Sequence, residues 1–293
     1  QNRIEWTDGI LGPISIDAAS VSDPVLIRAD GQILYTFASS VDDIDMGVTS
    51  IVRGADHVTN TATQIQIMEA LGGTPPAFAH HSLLTGAKGE ELSKRLGTLS
   101  LRDLRAAGVE PMALLSLMAR LGSSKPVELA HSHQDLIDGF DLSSFGASPT
   151  KFDAEDLFPL THADLQTRSA ADMADTIRAL GVPDDLAPAF WSVAKANITT
   201  RADLAGWWDL IANGAEPLVD AEDADFVKQA LAMLPPKPWT AATWGDWTNA
   251  VKEATGRKGK GLYRPLRRAI TGRDAGPEMA DLMPLLQKVR FPA

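Results

Sequence analysis

The chain has 293 residues, 44% of them hydrophobic, which is enough length and apolar surface for two compact domains. It contains no cysteine, which excludes disulfides and thiolate metal sites and fits a reducing compartment such as the cytoplasm. Its longest apolar runs, such as residues 112–118, are far shorter than the ~18 residues of a membrane-spanning helix. We therefore expect a soluble protein without a membrane partner. The net charge of −11 argues against nucleic acid binding over the whole surface.

The first hundred residues have mixed α and β character. The chain starts with Gln1 rather than methionine, and residues 3–6 already alternate like a strand interior, so we expect the true N-terminus to be missing. Residues 25–28 and 32–37 are rich in β-forming side chains around a glycine and predict a hairpin. Residues 48–52 predict a further strand, and residues 61–71 a helix that ends at two glycines.

The pattern after Ser100 predicts only helices, so we place a domain boundary near that residue. Ser100 and Asp103 resemble a capping box that opens the first of these helices. Trp244 and Trp247 recur at helical spacing, which predicts core packing rather than a base-stacking platform.

Residues 252–273 form a basic stripe on this acidic chain. The stripe contains eight lysines and arginines against the single acid Glu253. It is either a solvated helix face or a surface that binds phosphates, and composition alone favours the solvated face.

Two segments carry a resemblance to a known family. Residues 52–66 read V-R-G-A-D-H-V-T-N-T-A-T-Q-I-Q, and residues 91–95 read E-L-S-K-R after the glycine-rich approach of residues 86–89. Together they resemble the R-G-E-D-H-x-x-N-T-x-x-Q and KMSKS motifs of bacterial-type glutamyl-tRNA synthetases, which are class I aminoacyl-tRNA synthetases. Residues 35–46, 111–122, 140–153 and 265–272 follow in the family's order, so the resemblance spans nearly the whole chain.

The resemblance implies an ATP-binding loop at Leu92, Ser93, Lys94 and Arg95, with Lys94 as the catalytic cation. A mobile cation that arrives in the transition state stabilises the charge on the departing pyrophosphate. ATP with Mg²⁺ is then a substrate, and no zinc site is expected in this chain. The family's first loop lysine is Glu91 here, which departs from the motif.

The resemblance also implies a glutamate-binding site at Tyr35, Ser39, Arg53 and His57. Arginine suits a side-chain carboxylate because its planar fork can bond both oxygens. In the segment around Arg53 the family's acid is replaced by Ala55. His80 is expected at the sheet edge with local hydrogen bonds. His131 and His133 could form a metal-ligating pair, but we reject that interpretation because no third ligand lies nearby in sequence.

The basic stripe gains a function from the resemblance, because the family's C-terminal helices contact the anticodon arm. Arg267 matches an anticodon-contacting arginine, and Arg264 and Asn197 are further expected tRNA contacts. Arginine can stack on a splayed base and bond its edge.

The expected fold is an α/β N-terminal remnant, the second half of a class I Rossmann-type catalytic domain, followed by an all-α tRNA-binding region. By resemblance, residues 1–38 end an acceptor-binding insertion and residues 39–99 complete the catalytic domain. Residues 100–165 are stem-contact helices, and residues 166–293 are the helical anticodon-binding domain.

The expected function of the parent protein is the ATP-dependent ligation of L-glutamate to tRNA(Glu) through a glutamyl-adenylate, by a cytoplasmic monomer. The family's HIGH motif is missing before Tyr35, so this chain alone is expected not to activate glutamate. Three alternatives stay open: a noncatalytic tRNA-binding module, a non-discriminating enzyme that also charges tRNA(Gln), and an acidic helical interaction protein.

Overall fold

The computed structural model describes residues 3–86, 88–89 and 100–290. The chain divides into two compact units. The first consists of Gln1–Leu101 and Pro111–Leu157, and the second of Arg102–Glu110 and Phe158–Ala293. An α/β part is followed by a helical part, which confirms the predicted fold class at this level.

The first unit begins with an antiparallel hairpin of β1 (Arg3–Asp8) and β2 (Gly12–Asp17). The turn forms because Asp8 Oδ1 accepts the backbone N–H groups of Ile10 and Leu11, both at 3.0 Å. Gly12 follows at φ +76°, a conformation that side chains disfavour. The strand predicted at residues 3–6 is confirmed.

A β-α-β unit follows this hairpin. It consists of β3 (Ser50–Gly54), α2 (Val58–Ala70) and β4 (Ala77–His81), and β3 and β4 pair in parallel. The helix ends where Gly72 adopts φ +78°. Its apolar face buries Ala62 and Ile65 against Phe78 and Ile4 of the strands. The predicted strand and helix are thus confirmed, with the helix starting earlier than expected.

The hairpin predicted at residues 25–28 and 32–37 is wrong in its second half. Ile27 and Ile33 form only an isolated antiparallel bridge, and α1 (Tyr35–Asp45) begins directly afterwards. The helix packs against α2, and Ser40 lies buried with its hydroxyl donating to Thr36 O at 2.8 Å. Tertiary packing overrides the β propensity of the Tyr-Thr-Phe run.

In its described residues, the rest of the first unit contains two short strands and two α-helices. They are β5 (Leu84–Gly86), α4 (Pro111–Met118), α5 (His133–Asp138) and β6 (Thr150–Phe152). β5 pairs in parallel with β6. The expectation that only helices follow Ser100 is therefore wrong at β6, because three residues are too short for a periodic sequence signal.

The second unit is helical throughout its described residues. Its helices are α3 (Leu101–Ala106, from Arg102 onward in this unit), α6 (Leu157–Thr167, from Phe158 onward), α7 (Ala174–Ala179), α8 (Ala187–Ala194), α9 (Asp203–Asn213), α10 (Ala224–Ala232), α11 (Thr243–Thr255), α12 (Lys260–Thr271) and α13 (Met279–Leu282). Trp247 is buried in the core and meets Trp244 edge to face at 5.6 Å, which confirms the predicted packing role. Within the described residues, no helix combines the length and apolar character needed to cross a bilayer.

A buried carboxylate is neutralised inside the second unit. Glu110 is buried, and its carboxylate accepts hydrogen bonds from Arg201 Nε at 2.5 Å and from Arg201 Nη2 at 2.9 Å. The two residues thus form a bidentate pair. Its hydrogen bond raises the pKa of Arg201. Removal of Arg201 would leave a buried charge without its partner.

We expect Arg201→Ala to lower the free energy of unfolding of the second unit by ~2–3 kcal/mol, less than for a fully buried pair because the Arg201 side chain is 40% exposed. Arg178→Ala is the matched control, since Arg178 pairs with Asp175 at the exposed surface and should cost less than ~0.5 kcal/mol. Urea denaturation followed by tryptophan fluorescence measures both, because every tryptophan except Trp6 lies in this unit. Equal costs would contradict the burial argument.

Asp8 connects the first hairpin to β4. It is buried, and besides the turn amides its carboxylate accepts the backbone N–H of His80 at 3.0 Å and the His80 side chain at 2.5 Å. Burial alone would raise its pKa, but the hydrogen bonds from Leu11, His80 and Ile10 outweigh it and lower the pKa to about 2.

Because the folded pKa lies below the unfolded value, this carboxylate stabilises the fold above pH 3.8, and the contribution is lost as pH falls through about 2. The contribution is about 2 kcal/mol. We expect the stability difference between wild type and Asp8→Asn to shrink by that amount between pH 5 and pH 2. Hydrogen–deuterium exchange of β1 and β4 peptides against urea measures it, and a pH-independent difference would contradict the account.

Candidate functional site

Arg53 is held in place by two oxygens from one turn of α2. It lies near the C-terminal end of β3, and its Nη2 donates to Thr61 Oγ1 and to Gln64 Oε1, both at 2.6 Å. Gln64 in turn donates to Ser39 Oγ on α1 at 2.7 Å. Three consecutive elements thus converge on one guanidinium group.

The remaining donors of Arg53 have no partner in the part of the chain that the structure describes. Among the described residues, its Nε is buried without a hydrogen-bond partner, and Nη1 forms no hydrogen bond. No carboxylate of these residues forms an ion pair with the guanidinium group. The guanidinium carbon lies 5.8 Å from the ring centre of Phe78. Burial raises the pKa of nearby Asp43, and the positive charge of Arg53 opposes this rise. A fixed cation with unused donors is suited to bind an anion.

Tyr35 and His57 form a second pair at this end of the unit. Tyr35 is the first residue of α1, not the end of a strand, and it is 59% exposed. Its ring meets His57 edge-on at 6.4 Å. His57 precedes α2, and its Nδ1 lies 3.1 Å from Asn60 Nδ2. Of the four predicted glutamate-binding residues, Ser39 and Arg53 are therefore linked through Gln64, and Tyr35 contacts His57.

Sequence reasoning missed four residues behind Arg53, namely Asp8, Thr61, Gln64 and His80. His80 was expected to bond locally, and this is wrong, because it is buried and bonds Asp8, a residue 72 positions away. Thr61 and Gln64 have helical i, i+3 spacing after Arg53, which could have indicated them. Nothing in the local sequence indicates the pairing of Asp8 with His80.

The predicted ATP-binding residues Leu92, Ser93, Lys94 and Arg95 lie outside the described residues. Within the part of the chain that is described, no cluster of histidines and carboxylates suited to a metal ion occurs.

The helix α12 presents a basic face to solvent. Lys260, Arg264 and Arg267 line one side of an open cavity of about 520 Å³ together with Tyr263 and Asp274. Arg264 Nε donates to Asp274 at 2.7 Å, and Arg267 Nη1 donates to Pro277 O at 2.9 Å. Tyr263 is 44% exposed. Cations beside an exposed aromatic ring suit a nucleic-acid backbone with an unstacked base.

Other arginines of the basic stripe have structural roles. Arg268 is buried and pairs with Asp220, and this hydrogen bond raises the pKa of the arginine and lowers that of the carboxyl. Arg257 pairs with Asp223 and lies 4.0 Å over the Phe226 ring. The stripe is therefore divided between ion pairs that hold the helices and the exposed face of α12.

The described hydrogen bonds of Asn197 are made with residues outside the basic face of α12. Its side chain donates to Val193 O at 3.2 Å, and its carbonyl accepts Trp207 Nε1 at 3.1 Å. Among the described hydrogen bonds, none joins Asn197 to Arg264 or Arg267, and the assignment of these three residues to tRNA binding stays a prediction.

Comparison with known proteins agrees with the order of an α/β part followed by a helical part. Residues 1–159 match the family described as tRNA synthetases class I (E and Q), catalytic domain, and residues 184–291 match the anticodon binding domain. The chain is 75% identical over 290 residues to glutamate–tRNA ligase 1 of Cereibacter sphaeroides and 72% identical to glutamate–tRNA ligase 1 of Paracoccus denitrificans. It spans 66% of the length of each of these relatives.

A solved structure shares the fold. The crystal structure of a glutamate tRNA ligase from Elizabethkingia meningosepticum, in complex with its amino acid, superposes with a TM-score of 0.82 at 26% identity. The match covers 97% of this chain and 63% of that one. The chain therefore belongs to the class I tRNA synthetases of the E and Q group, with part of the catalytic domain followed by an anticodon-binding domain.

Proposed function

We propose that this chain provides the glutamate-recognition and tRNA-recognition parts of a glutamate–tRNA ligase. The whole activity is the ATP-dependent ligation of L-glutamate to tRNA(Glu) through a glutamyl-adenylate. The observation that carries the proposal is Arg53, which is fixed by two oxygens on Nη2 and, among the described residues, has no hydrogen-bond partner on Nη1 or Nε. The family membership supports it.

In this proposal the side-chain carboxylate of glutamate binds Nη1 of Arg53. The planar fork is not wholly free, because Nη2 already serves Thr61 and Gln64. The fixed plane nonetheless directs the remaining donors, so little rotamer entropy is lost on binding. The Tyr35 hydroxyl, Ser39 and His57 complete the site as polar neighbours that orient the substrate.

The adenylation chemistry is assigned to Lys94 within residues 92–95, with ATP and Mg²⁺ as substrate. A cation near the α-phosphoryl group and the pyrophosphate offsets charge that develops in the transition state. Since the chain spans 66% of the relatives' length, we propose that the remainder of a full-length enzyme supplies the other ATP contacts. We further infer that the enzyme acts as a cytoplasmic monomer.

For tRNA, we propose that the basic face of α12 contacts the anticodon arm. Lys260, Arg264 and Arg267 supply positive charge, and exposed Tyr263 beside Trp244 supplies a ring for an unstacked base. Asn197 is retained as a further contact. Residues 100–165 are assigned to the tRNA stem, where backbone phosphates position the molecule.

The test of amino-acid recognition grafts this chain into the full-length Cereibacter sphaeroides relative and measures glutamate-dependent ATP–pyrophosphate exchange. We expect Arg53→Lys to raise the KM for glutamate by roughly 10- to 100-fold, the loss of one charge-assisted hydrogen bond. Arg28→Lys is the control, since the Arg28 side chain lies in an exposed turn and, among the described residues, bonds only Gln32. An unchanged KM for Arg53→Lys would contradict the assignment.

The test of tRNA recognition measures binding of tRNA(Glu) to the chain itself against salt. We expect Lys260→Ala and Arg267→Ala each to weaken binding and to reduce the slope of log affinity against log salt by about 1. Arg178→Ala removes one charge at an exposed site outside α12 and should leave the slope unchanged. Equal effects from all three variants would place the interface elsewhere.

A further inference from the structure

A continuous chain of buried polar groups runs from the first hairpin to Arg53. Asp8 Oδ2 lies 2.5 Å from His80 Nδ1, His80 Nε2 lies 2.8 Å from Thr61 Oγ1, and Thr61 accepts Arg53 Nη2 at 2.6 Å. Asp8, His80 and Thr61 are all buried. Buried polar groups are unfavourable unless each is paired, and Asp8, His80 and Thr61 are all paired.

The Asp8 carboxylate, the first group in this series of hydrogen bonds, cannot rotate. Its Oδ1 accepts three backbone N–H groups, from Ile10, Leu11 and His80, each at 3.0 Å. This arrangement directs Oδ2 at the imidazole. Because the Asp8 pKa is about 2, the carboxylate is ionised near neutral pH and can only accept. The proton of this bond therefore resides on His80 Nδ1.

The protonation of Nδ1 determines what Thr61 does. The Thr61 hydroxyl has two acceptors in reach for its one proton, His80 Nε2 at 2.8 Å and His57 O at 3.2 Å. With the imidazole proton on Nδ1, Nε2 is the nearer acceptor, and the oxygen lone pairs of Thr61 remain for Arg53. If the tautomer were reversed, Nε2–H would donate to Thr61, the Thr61 hydroxyl would donate to His57 O, and only one of its two lone pairs would remain for the guanidinium. The Asp8 carboxylate thus selects the arrangement in which Thr61 is a free acceptor.

We propose that Asp8 and His80 are positioning residues that act through Thr61 to fix the guanidinium plane of Arg53. Neither of them contacts the ligand, so they are not catalytic residues. Gln64 holds the same Nη2 from the other side, and the two acceptors together prevent rotation of the guanidinium about its Nε–Cζ bond. The significance for substrate recognition rests on the proposed function of Arg53, whereas the fixing of Arg53 does not.

The consequence is preorganisation of the anion site. A guanidinium that rotates would need to be ordered by the ligand, which costs affinity, while a fixed one presents Nη1 in the binding orientation beforehand. The orientation of Arg53, which binds the carboxylate, thereby depends on Asp8 of the first hairpin, 45 positions earlier in the sequence.

The experiment is nitrogen-15 NMR of the chain with labelled arginine and histidine, without ligand and then with L-glutamate. In the wild type we expect separate Nη1 and Nη2 signals for Arg53 and a His80 spectrum of the Nδ1-protonated form. Asp8→Asn keeps the acceptor for the three amides but turns a donor toward Nδ1. It should reverse the His80 tautomer and speed rotation of the Arg53 guanidinium by about tenfold or more, an effect that simple loss of stability would not produce.

His81→Gln is the matched control, since His81 is the next residue on β4 and, among the described residues, its ring bonds only Ser82 O. It should leave Arg53 rotation within about twofold of wild type. Thr61→Val removes the last link directly and should free Arg53, while Thr61→Ser keeps the hydroxyl and should restore the slow rotation. This pair tests the same proposal if Asp8→Asn does not fold.

Slow rotation in Asp8→Asn despite a reversed tautomer, or slow rotation in Thr61→Val, would overturn the positioning role. The L-glutamate titration is read separately. If glutamate shifts no Arg53 signal in the wild type while the variants free the guanidinium as expected, the proposed function fails and the positioning role stands.

Discussion

The two hydrogen bonds from Arg53 Nη2 to Thr61 and Gln64 are the interactions on which the candidate site depends. They tie the C-terminal end of β3 to the first half of α2, and through Ser39 they reach α1. Behind them, Asp8 and His80 extend the network into the first hairpin. The hydrogen bonds around this one cation therefore link β3, α2, α1, β4 and the first hairpin. Arg53 still has Nη1 available to donate to a ligand.

The second unit pairs its buried charges differently. Its buried arginine, Arg268, is neutralised by Asp220, and the bidentate pair of Arg201 with Glu110 serves the core in the same way. The cations of α12 that face solvent are only partly engaged, by Asp274 and a carbonyl. An acidic chain can thus display a local basic surface, because its acidic residues form ion pairs with other arginines or lie elsewhere.

The sequence predicted those parts of the molecule that have short-range signals. The helix after Gly54 and the strands around it follow from local patterns, and the family motifs single out Arg53 as a candidate. The start of α1 at Tyr35 was missed, because its β-forming residues are overridden by packing on α2. The pairing of Asp8 with His80 was also missed, since a contact across 72 positions leaves no periodicity to read.

We propose that Arg53 binds the side-chain carboxylate of glutamate while Thr61 and Gln64 keep their hydrogen bonds to its Nη2. A crystal structure of the chain with L-glutamate, and a matched one with L-glutamine, tests this most directly. The account predicts a carboxylate oxygen about 2.8 Å from Arg53 Nη1 with both internal bonds intact, and no glutamine at that position. Glutamate bound with its side-chain carboxylate away from Arg53, or an Arg53 turned out of the Thr61 and Gln64 bonds, would contradict it.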